Sequence, residues 1–158
     1  MALVKESDRF LLCGIGTYIG ALALRHVQET MRPLPIEPLT GAPSFVLGLS
    51  IVRGSPTPVI DAARLLGASA SSSPSSLSRF VSLKLDDRRV ALAVDTVLDV
   101  RSLPEAALAT TPPLLQQAGA DLVPLIGSLD TKLLLVFEAA RLVPDSVWQT
   151  LQTPAASV

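Results

Sequence analysis

The sequence contains an internal repeat, and no other feature limits the possible fold as strongly. Three segments of the first half match segments of the second half in the same order, at shifts of 70 and 77 positions. The matched pairs are Arg9-Phe10 with Arg79-Phe80, Ala21-Leu22-Ala23 with Ala91-Leu92-Ala93, and 59–66 with 136–143. Because the matches keep their order, alanine-rich composition does not explain them together. The repeat predicts two similar units, each ending in a strand and one helical turn.

A low-complexity segment separates the two units. Residues 68–78 read ASASSSPSSLS, a composition typical of a linker. We therefore predict one domain over 1–158, with β sub-units over 9–67 and 79–143 and a C-terminal helix over 144–152. Units of this size bury little apolar surface alone, so we expect the two to share an apolar interface.

The alternation of apolar residues predicts strands. In Arg79–Asp86, apolar residues alternate with polar ones from Val81 onward, as in a half-buried strand. Residues Asp86–Arg89 form a polar turn, and the alternation resumes at Val90, so the two segments are predicted to pair as a hairpin. Lys132–Phe137 is a continuous apolar run of strand length.

Helix signals are few and short. Asp61 can cap a helical turn over Ala62–Leu66, which Gly67 is placed to end. Pro144 can open a final helix. The residues of this helix that are spaced to share one face are Val147, Trp148 and Leu151.

Composition and charge exclude several classes of protein. The formal net charge is −1, from 13 Lys and Arg against 14 Asp and Glu, so no basic field is present to bind nucleic acid or acidic lipid. Two of the longest uncharged stretches, Phe10–Leu24 and Pro38–Val52, are shorter than a spanning helix requires. We therefore predict a cytoplasmic protein without direct membrane insertion. One cysteine and one histidine exclude an intrachain disulfide and a zinc site of several Cys or His ligands.

No residue pattern predicts a catalytic, cofactor or metal site. His26 lies three residues before Glu29, but no serine or cysteine nucleophile has a recognisable setting. Cys13 lies in an alternating apolar strand, where a buried and inert thiol is expected. The sequence therefore favours binding over catalysis, and a hydrolase that uses His26 stays open only as an alternative.

One arginine stands out as a binding candidate. Arg53 follows an apolar run between two glycines, Gly48 and Gly54. A partly desolvated arginine at a strand end needs a carboxylate partner, and Glu29 is the candidate within the first half. The alternative is a solvated charge at the end of a strand, which composition alone favours.

Three short motifs, matched in part, follow one another in the order of a known family. They are V-x-E-I at Val27–Thr30, G-x-x-N-L-R-G at Gly48–Gly54, and P-V-x-D-L beginning at Pro58. The spacing of 24 between Glu29 and Arg53 also matches. From Arg9 to Val143 the chain resembles the CheW-like family, the adaptors of bacterial chemotaxis that couple receptors to the CheA histidine kinase.

The resemblance implies an all-β fold of two small SH3-like five-stranded β-barrels, packed through a shared apolar interface, with short helices and a C-terminal helix. It also implies a non-catalytic adaptor without a cofactor. Its partners would be the regulatory domain of a CheA-type kinase and the cytoplasmic tip of a methyl-accepting chemoreceptor, so the protein would be recruited to receptor clusters at the membrane. The residues that the resemblance places at these interfaces are Val27, Glu29, Gly48, Val52, Arg53 and Gly54.

The chain departs from the family pattern around Arg53. Ile51 stands where the family has asparagine, and Val52 where it has leucine. Pro56 lies inside a predicted strand, which allows only an edge or a bend there. An apolar Ile51 cannot make the hydrogen bonds of an asparagine, so an accessory protein that binds receptor but not kinase is one alternative. A small β-barrel that binds an apolar metabolite is another, from a different class.

Overall fold

The structure, a computed structural model, describes residues 9–67, 78–110 and 122–152. The predicted linker over 68–78 lies outside these residues except for Ser78. The strands are β1 (Arg9–Ile15), β2 (Tyr18–Ala23), β3 (Val27–Met31), β4 (Val46–Val52), β5 (Ser55–Asp61), β6 (Arg79–Leu85), β7 (Arg88–Val94), β8 (Thr96–Ser102), β9 (Ala109–Thr110), β10 (Leu125–Leu129) and β11 (Lys132–Val136). The helices are α1 (Ala62–Leu65) and α2 (Asp145–Gln152), with 3-10 turns at Leu24–His26, Glu105–Ala107 and Ala139–Arg141.

The strands form two sheets, and the predicted all-β class is confirmed. One sheet has five strands in the order β3-β6-β7-β5-β4. The other has six strands in the order β8-β1-β2-β11-β10-β9. Its sixth strand, β9, is only two residues long and pairs with the end of β10. Without β9, the two sheets have corresponding strand orders, so the sequence repeat is also a repeat in the fold.

Each sheet takes strands from both halves of the chain, which differs from the predicted division into sub-units over 9–67 and 79–143. β1 and β2 pair with strands of the second half, whereas β6 and β7 pair with strands of the first half. The chain crosses between the sheets at the 3-10 turn Leu24–His26 and again at Asp95. In the described residues four pairs join the two halves of the chain: β1 with β8 and β3 with β6, which are antiparallel, and β2 with β11 and β5 with β7, which are parallel. Parallel partners are distant in sequence, and local alternation does not specify which distant strand a segment will join.

The apolar core lies mainly between the two sheets. Alternate residues of β1, including Leu11 and Cys13, enter this central core together with residues of β6, β7 and α2. The intervening residues, such as Phe10, enter a second cluster on the other face of the six-stranded sheet. A smaller third cluster surrounds Phe80 on the other face of the five-stranded sheet. The predicted shared apolar interface is thus confirmed, and it accounts for the high apolar content of the chain.

The local elements agree with the sequence pattern. β6 and β7 form the predicted hairpin, with Leu85 opposite Arg88 across the turn. Asp61 caps α1, because its Oδ1 accepts hydrogen bonds from the backbone N–H groups of Ala63 at 3.0 Å and Arg64 at 3.4 Å. No helix in the described ranges is long and apolar enough to cross a bilayer.

The C-terminal helix α2 is held against the central core by the face that the sequence predicts. Val147 and Trp148 are buried, while the side chain of Leu151 lies outside the described residues. The guanidinium of Arg88, at the start of β7, lies 4.9 Å from the centre of the Trp148 ring. A cation above the face of an indole is attracted to it, so α2 is also tied to the β6–β7 hairpin.

Candidate functional site

The turn between β4 and β5 carries Arg53 on a tight two-residue loop. Val52 pairs with Ser55 across it, so Arg53 and Gly54 are the two central residues. Both have positive φ, 53° and 81°, as a type I′ hairpin turn requires. Glycine adopts this conformation without steric cost, which explains Gly54, whereas Arg53 is held there by the turn. The side chain of Arg53 therefore projects from a backbone whose direction is fixed.

Glu29 lies on β3 and binds Arg53 through two hydrogen bonds. The Nε of Arg53 donates to Oε2 of Glu29 at 2.8 Å, and Nη2 donates to Oε1 at 3.1 Å. This two-point geometry matches the planar fork of the guanidinium to the carboxylate and fixes their relative orientation. The carboxylate partner predicted for Arg53 is thus present.

Exposure corrects the expectation that Arg53 is desolvated. The side chain of Arg53 is 70% exposed and that of Glu29 is 30% exposed. Arg53 projects from a turn into solvent instead of ending a covered strand, so both readings of the sequence apply in part: the charge is solvated and it is paired. A solvated ion pair contributes little to folding stability. The pair of Glu29 and Arg53 is therefore informative about the shape of the sheet and not about its stability.

The pair joins the two edges of one sheet. β3 is one edge strand of the five-stranded sheet, and β4 is the other. Contact between Glu29 and the β4–β5 turn therefore requires the sheet to curl until its edges approach. A backbone bridge supports the same closure, since Glu37 and Leu49 exchange two hydrogen bonds of 2.8 Å. The segment that follows β3 thus lies against the outer side of β4.

Gly48 makes this close approach possible. Its φ is +143°, and a Cβ at this position would overlap the backbone carbonyl of Glu37 and lie 2.9 Å from Cγ2 of Ile36. A side chain here would push the Glu37 segment away from β4. Gly48 therefore contributes to the site by letting the Glu37 segment pack against the backbone of β4.

The charges of two arginines lower the pKa of Glu29. The hydrogen bond and the charge of Arg53 lower the pKa of Glu29 below 4.5, the charge of Arg89 acts in the same direction, and partial burial opposes them. The same hydrogen bond raises the pKa of Arg53. Two guanidinium groups thus act on one carboxylate. Arg89 was not among the predicted site residues, because its position near Glu29 depends on the pairing of β3, β6 and β7.

The remaining predicted residues divide into buried and exposed ones. Val52 is buried, so it supports the turn from below, and Val27 is half-buried against the central core. Ile51, which precedes Val52 on β4, is 62% exposed. In the sequence, Ile51 was noted only because the family has asparagine there. The structure shows that the Ile51 side chain is exposed, two residues before Arg53.

Pro56 fits the strand because its part of β5 has a partner on one side only. β5 lies between β7 and β4, but β7 pairs only with Val59–Asp61. Pro56 pairs with Ile51 of β4. A proline without a backbone N–H is therefore tolerated at what is locally an edge, as the sequence predicts.

Cys13 and His26, the two side chains that the sequence offers for chemistry, do not lie in an active-site cleft. Cys13 is fully buried in the central core, and burial raises the pKa of its thiol to about 12. His26 lines a cleft of about 30 Å³ beside Arg25 and Glu138, which holds little more than a water molecule. Within the described ranges, no group of three or more His, Cys, Asp and Glu side chains is arranged to hold a metal ion.

Comparisons with known proteins agree with the fold and extend over most of the chain. The sequence model of the CheW-like domain matches residues 9–147. The "Chemotaxis protein CheW" of Treponema pallidum (strain Nichols) is 21% identical over 154 residues, covering 96% of this chain and 91% of that protein. The protein of the same name from Rhizobium meliloti (strain 1021) is 30% identical over 86 residues, covering 54% of this chain and 55% of that one. The crystal structure of the scaffolding protein TtCheW from Thermoanaerobacter tengcongensis is similar with a TM-score of 0.72, at 22% identity, and covers 83% of this chain and 88% of that one.

Proposed function

Because this chain belongs to the CheW-like domain family, we propose that it is a non-catalytic scaffold that couples chemoreceptors to a CheA-type histidine kinase in the cytoplasm. The observation that supports this most directly is the family match over residues 9–147, which spans both sheets. The family resemblance implies two partners, which are the cytoplasmic tip of a receptor and the regulatory domain of the kinase.

The surface around Arg53 is the proposed contact for a partner. The guanidinium is exposed and fixed by Glu29, so its remaining N–H donors have a defined direction. Ile51 adds an exposed apolar side chain two residues away. An oriented charge beside an apolar anchor is a composition typical of protein interfaces. The rigid turn means that little conformational freedom is lost when a partner binds.

With Ile51 in place of the family asparagine, we expect this chain to recognise a partner differently from other members of the family. The family asparagine at this place would offer an amide that donates and accepts hydrogen bonds, whereas the exposed Ile51 offers only apolar area. A partner that binds here must therefore present an apolar side chain opposite Ile51. This observation keeps a second candidate function, an accessory protein that binds receptor without binding kinase.

A metabolite-binding barrel has less support. A cleft between the 39–43 segment and α2 has a volume of about 90 Å³, and the cleft near His26 is smaller. Binding sites for small molecules usually have volumes of about 300–1,000 Å³. The concave face of each sheet is covered by the side chains of an apolar cluster. Neither cleft therefore supports a metabolite-binding barrel.

Isothermal titration calorimetry with two purified partners tests the proposal. The partners are the regulatory domain of a CheA-type kinase and the cytoplasmic tip of a chemoreceptor from the same genome. Binding to both supports the coupling scaffold, and binding to the receptor tip alone supports the accessory protein. If the folded protein binds neither, the proposed function is wrong although the fold is unaffected.

A matched pair of variants tests the site. Arg53→Ala should weaken binding to at least one partner by about tenfold, a usual effect of removing an interface arginine. Lys132→Ala is the control, because Lys132 is also an exposed cation beside a two-residue hairpin turn. Equal losses in the two variants would remove Arg53 from the proposed contact.

A further inference from the structure

The two repeats differ in charge at corresponding positions. The shift of 70 that aligns the first strands places Glu29 on Asp99, and the shift of 77 that aligns the last strands places Arg53 on Asp130. Arg53 and Asp130 occupy the same position in their hairpin turns, each following the first strand, with φ of 53° and 56°. The ion pair of the first repeat is thus replaced by two carboxylates in the second.

Two carboxylates cannot join the edges of the six-stranded sheet as Glu29 and Arg53 join those of the other sheet. Asp99 turns instead to its own strand: its Oδ1 accepts a hydrogen bond from the N–H of Val100 at 2.8 Å, and its Oδ2 lies 3.3 Å from Nε of Arg101. Like charges also oppose a contact between Asp99 and Asp130. Among the described residues, the edge strand β8 therefore has no counterpart of the contact that joins β3 to the opposite edge of its sheet.

β8 is accordingly an exposed edge strand with apolar side chains. Leu98 is 51% exposed and Val100 is 40% exposed, whereas the residues of β3 alternate between exposed and half-buried. β8 is seven residues long and contains neither lysine nor proline, two residues that usually protect such edges, and the β-bulge in its pairing with β1 lies at Leu98, before the Asp99–Arg101 segment. In the described part of the chain its only hydrogen-bonded neighbour in the sheet is β1. An exposed edge strand of this kind can add a further strand to its sheet through backbone hydrogen bonds.

We propose that β8 pairs with β8 of a second copy of this chain, antiparallel and centred on Val100. Charge complementarity identifies the occupant. In this register Asp99 of each copy lies opposite Arg101 of the other, so two ion pairs form across the dimer axis, and the two Val100 side chains meet on the opposite face. Cross-strand pairs of opposite charge stabilise antiparallel strands.

Neighbouring symmetric registers are disfavoured by the same charges. Centring on Asp99 would place the two Asp99 carboxylates opposite each other, and centring on Arg101 would do the same to the two guanidinium groups. Like charges directly opposite each other destabilise a strand pair. Within the Asp99–Arg101 segment, the sequence thus selects one register, and the interaction between Asp99 and Arg101 inside each chain is exchanged for the same interaction between chains.

The dimer should be weak. One pair of edge strands buries less than the approximately 1,200 Å² that marks the lower limit of stable interfaces. Asp99 must also release the N–H of Val100 before that group can bond to the second copy. Self-association is therefore expected at high protein concentration, such as that in a dense cluster, and not in dilute solution.

Sedimentation equilibrium over roughly 10–500 µM tests whether the dimer exists. We expect the average mass to rise from monomer towards dimer and the β8 amides to gain protection from hydrogen exchange as concentration rises. A mass that stays monomeric over this range would overturn the proposal. Gained protection on the β3 or β4 edge, with none on β8, would also overturn it.

Two complementary variants test the register. Asp99→Arg gives arginine at 99 and 101, and Arg101→Asp gives aspartate at both positions, so each variant alone should remain monomeric. Mixed together, they place opposite charges across the strand pair and should restore dimers. Because all of these side chains are exposed, folding should be retained, and thermal melts of each variant check this. Ile51→Lys, on the other sheet, is the control and should dimerise like the unmodified chain. If the mixture is monomeric while the unmodified chain dimerises, the proposed pairing is wrong.

Discussion

Glu29 and Arg53 come from opposite edges of one five-stranded sheet, and their charged atoms lie 2.8 Å apart. The pair therefore reports the curvature of the whole sheet, because the two side chains meet only if the edges do. The backbone bridge between Glu37 and Leu49 provides the same closure without charges. We infer that the ion pair orients Arg53 for a partner more than it stabilises the fold.

Reversing this ion pair separates orientation from charge. Arg53→Glu and Glu29→Arg should each weaken binding of the receptor tip or kinase domain by about tenfold or more, because each leaves two like charges together. The double variant should recover a pair on the same backbone but place a carboxylate where the guanidinium was. We expect its thermal unfolding midpoint to lie slightly below that of the unmodified chain, because Arg89 then acts on a like charge at position 29, while binding stays weak. Recovery of binding in the double variant would mean that the pair matters only for folding.

The pH dependence of the pair follows from the lowered pKa of Glu29. The carboxylate is ionised in the folded state at pH values where the unfolded chain already binds a proton, so the stabilisation is complete above 4.5 and is lost as pH falls through the lower folded-state pKa. A carboxyl-carbon NMR titration of Glu29 should show a midpoint below 4.5, and Arg53→Ala should raise it. A midpoint of Glu29 that is unchanged by Arg53→Ala would contradict the geometry.

Gly48 should tolerate no side chain. Gly48→Ala would place a Cβ against the carbonyl of Glu37 on a backbone with φ of +143°. We expect a loss of about 2–4 kcal/mol in the free energy of unfolding, from steric overlap and backbone strain together, measured by urea denaturation. Gly41→Ala is the matched control, since Gly41 also has positive φ but has open space around it, and should cost about 1 kcal/mol. Equal losses would show that strain alone accounts for Gly48.

Cys13 should be unreactive in the native protein. The thiol is buried and its pKa is raised to about 12, so the thiolate that reacts with alkylating agents is scarce at neutral pH. Iodoacetamide should label Cys13 far more slowly in the folded protein than in the urea-unfolded chain. Because the folded thiol holds its proton more tightly, stability should fall as pH rises from about 9 towards 12, and Cys13→Ala should remove this dependence. Rapid labelling of the folded protein would contradict the burial.

The sequence predicted local elements well and long-range pairing poorly. The alternation in 79–86 and the capping Asp61 specify structures completed within a few residues, so they could be found without a fold. The exchange of strands between the sheets could not, because it depends on which distant strand β2 and β5 join. The pair of Glu29 and Arg53 was predicted from the need of Arg53 for a carboxylate and from the spacing of the family motif, whereas Arg89 was missed because only the sheet order places it near Glu29.

Trp148 offers a direct measure of how α2 is attached. It is the only tryptophan of the chain and is 9% exposed in the central core, so its fluorescence should shift to longer wavelength when α2 separates. Trp148→Ala should cost about 3–5 kcal/mol in the free energy of unfolding, because it leaves a large cavity. Arg88→Ala removes only the cation above the ring and should cost about 0.5–1 kcal/mol, followed through the Trp148 emission during urea denaturation. Arg101→Ala, an exposed arginine with no contact to Trp148, is the control. If Arg88→Ala shifts the native emission as far as unfolding does, the Arg88 contact and not the apolar face of α2 is what holds the helix.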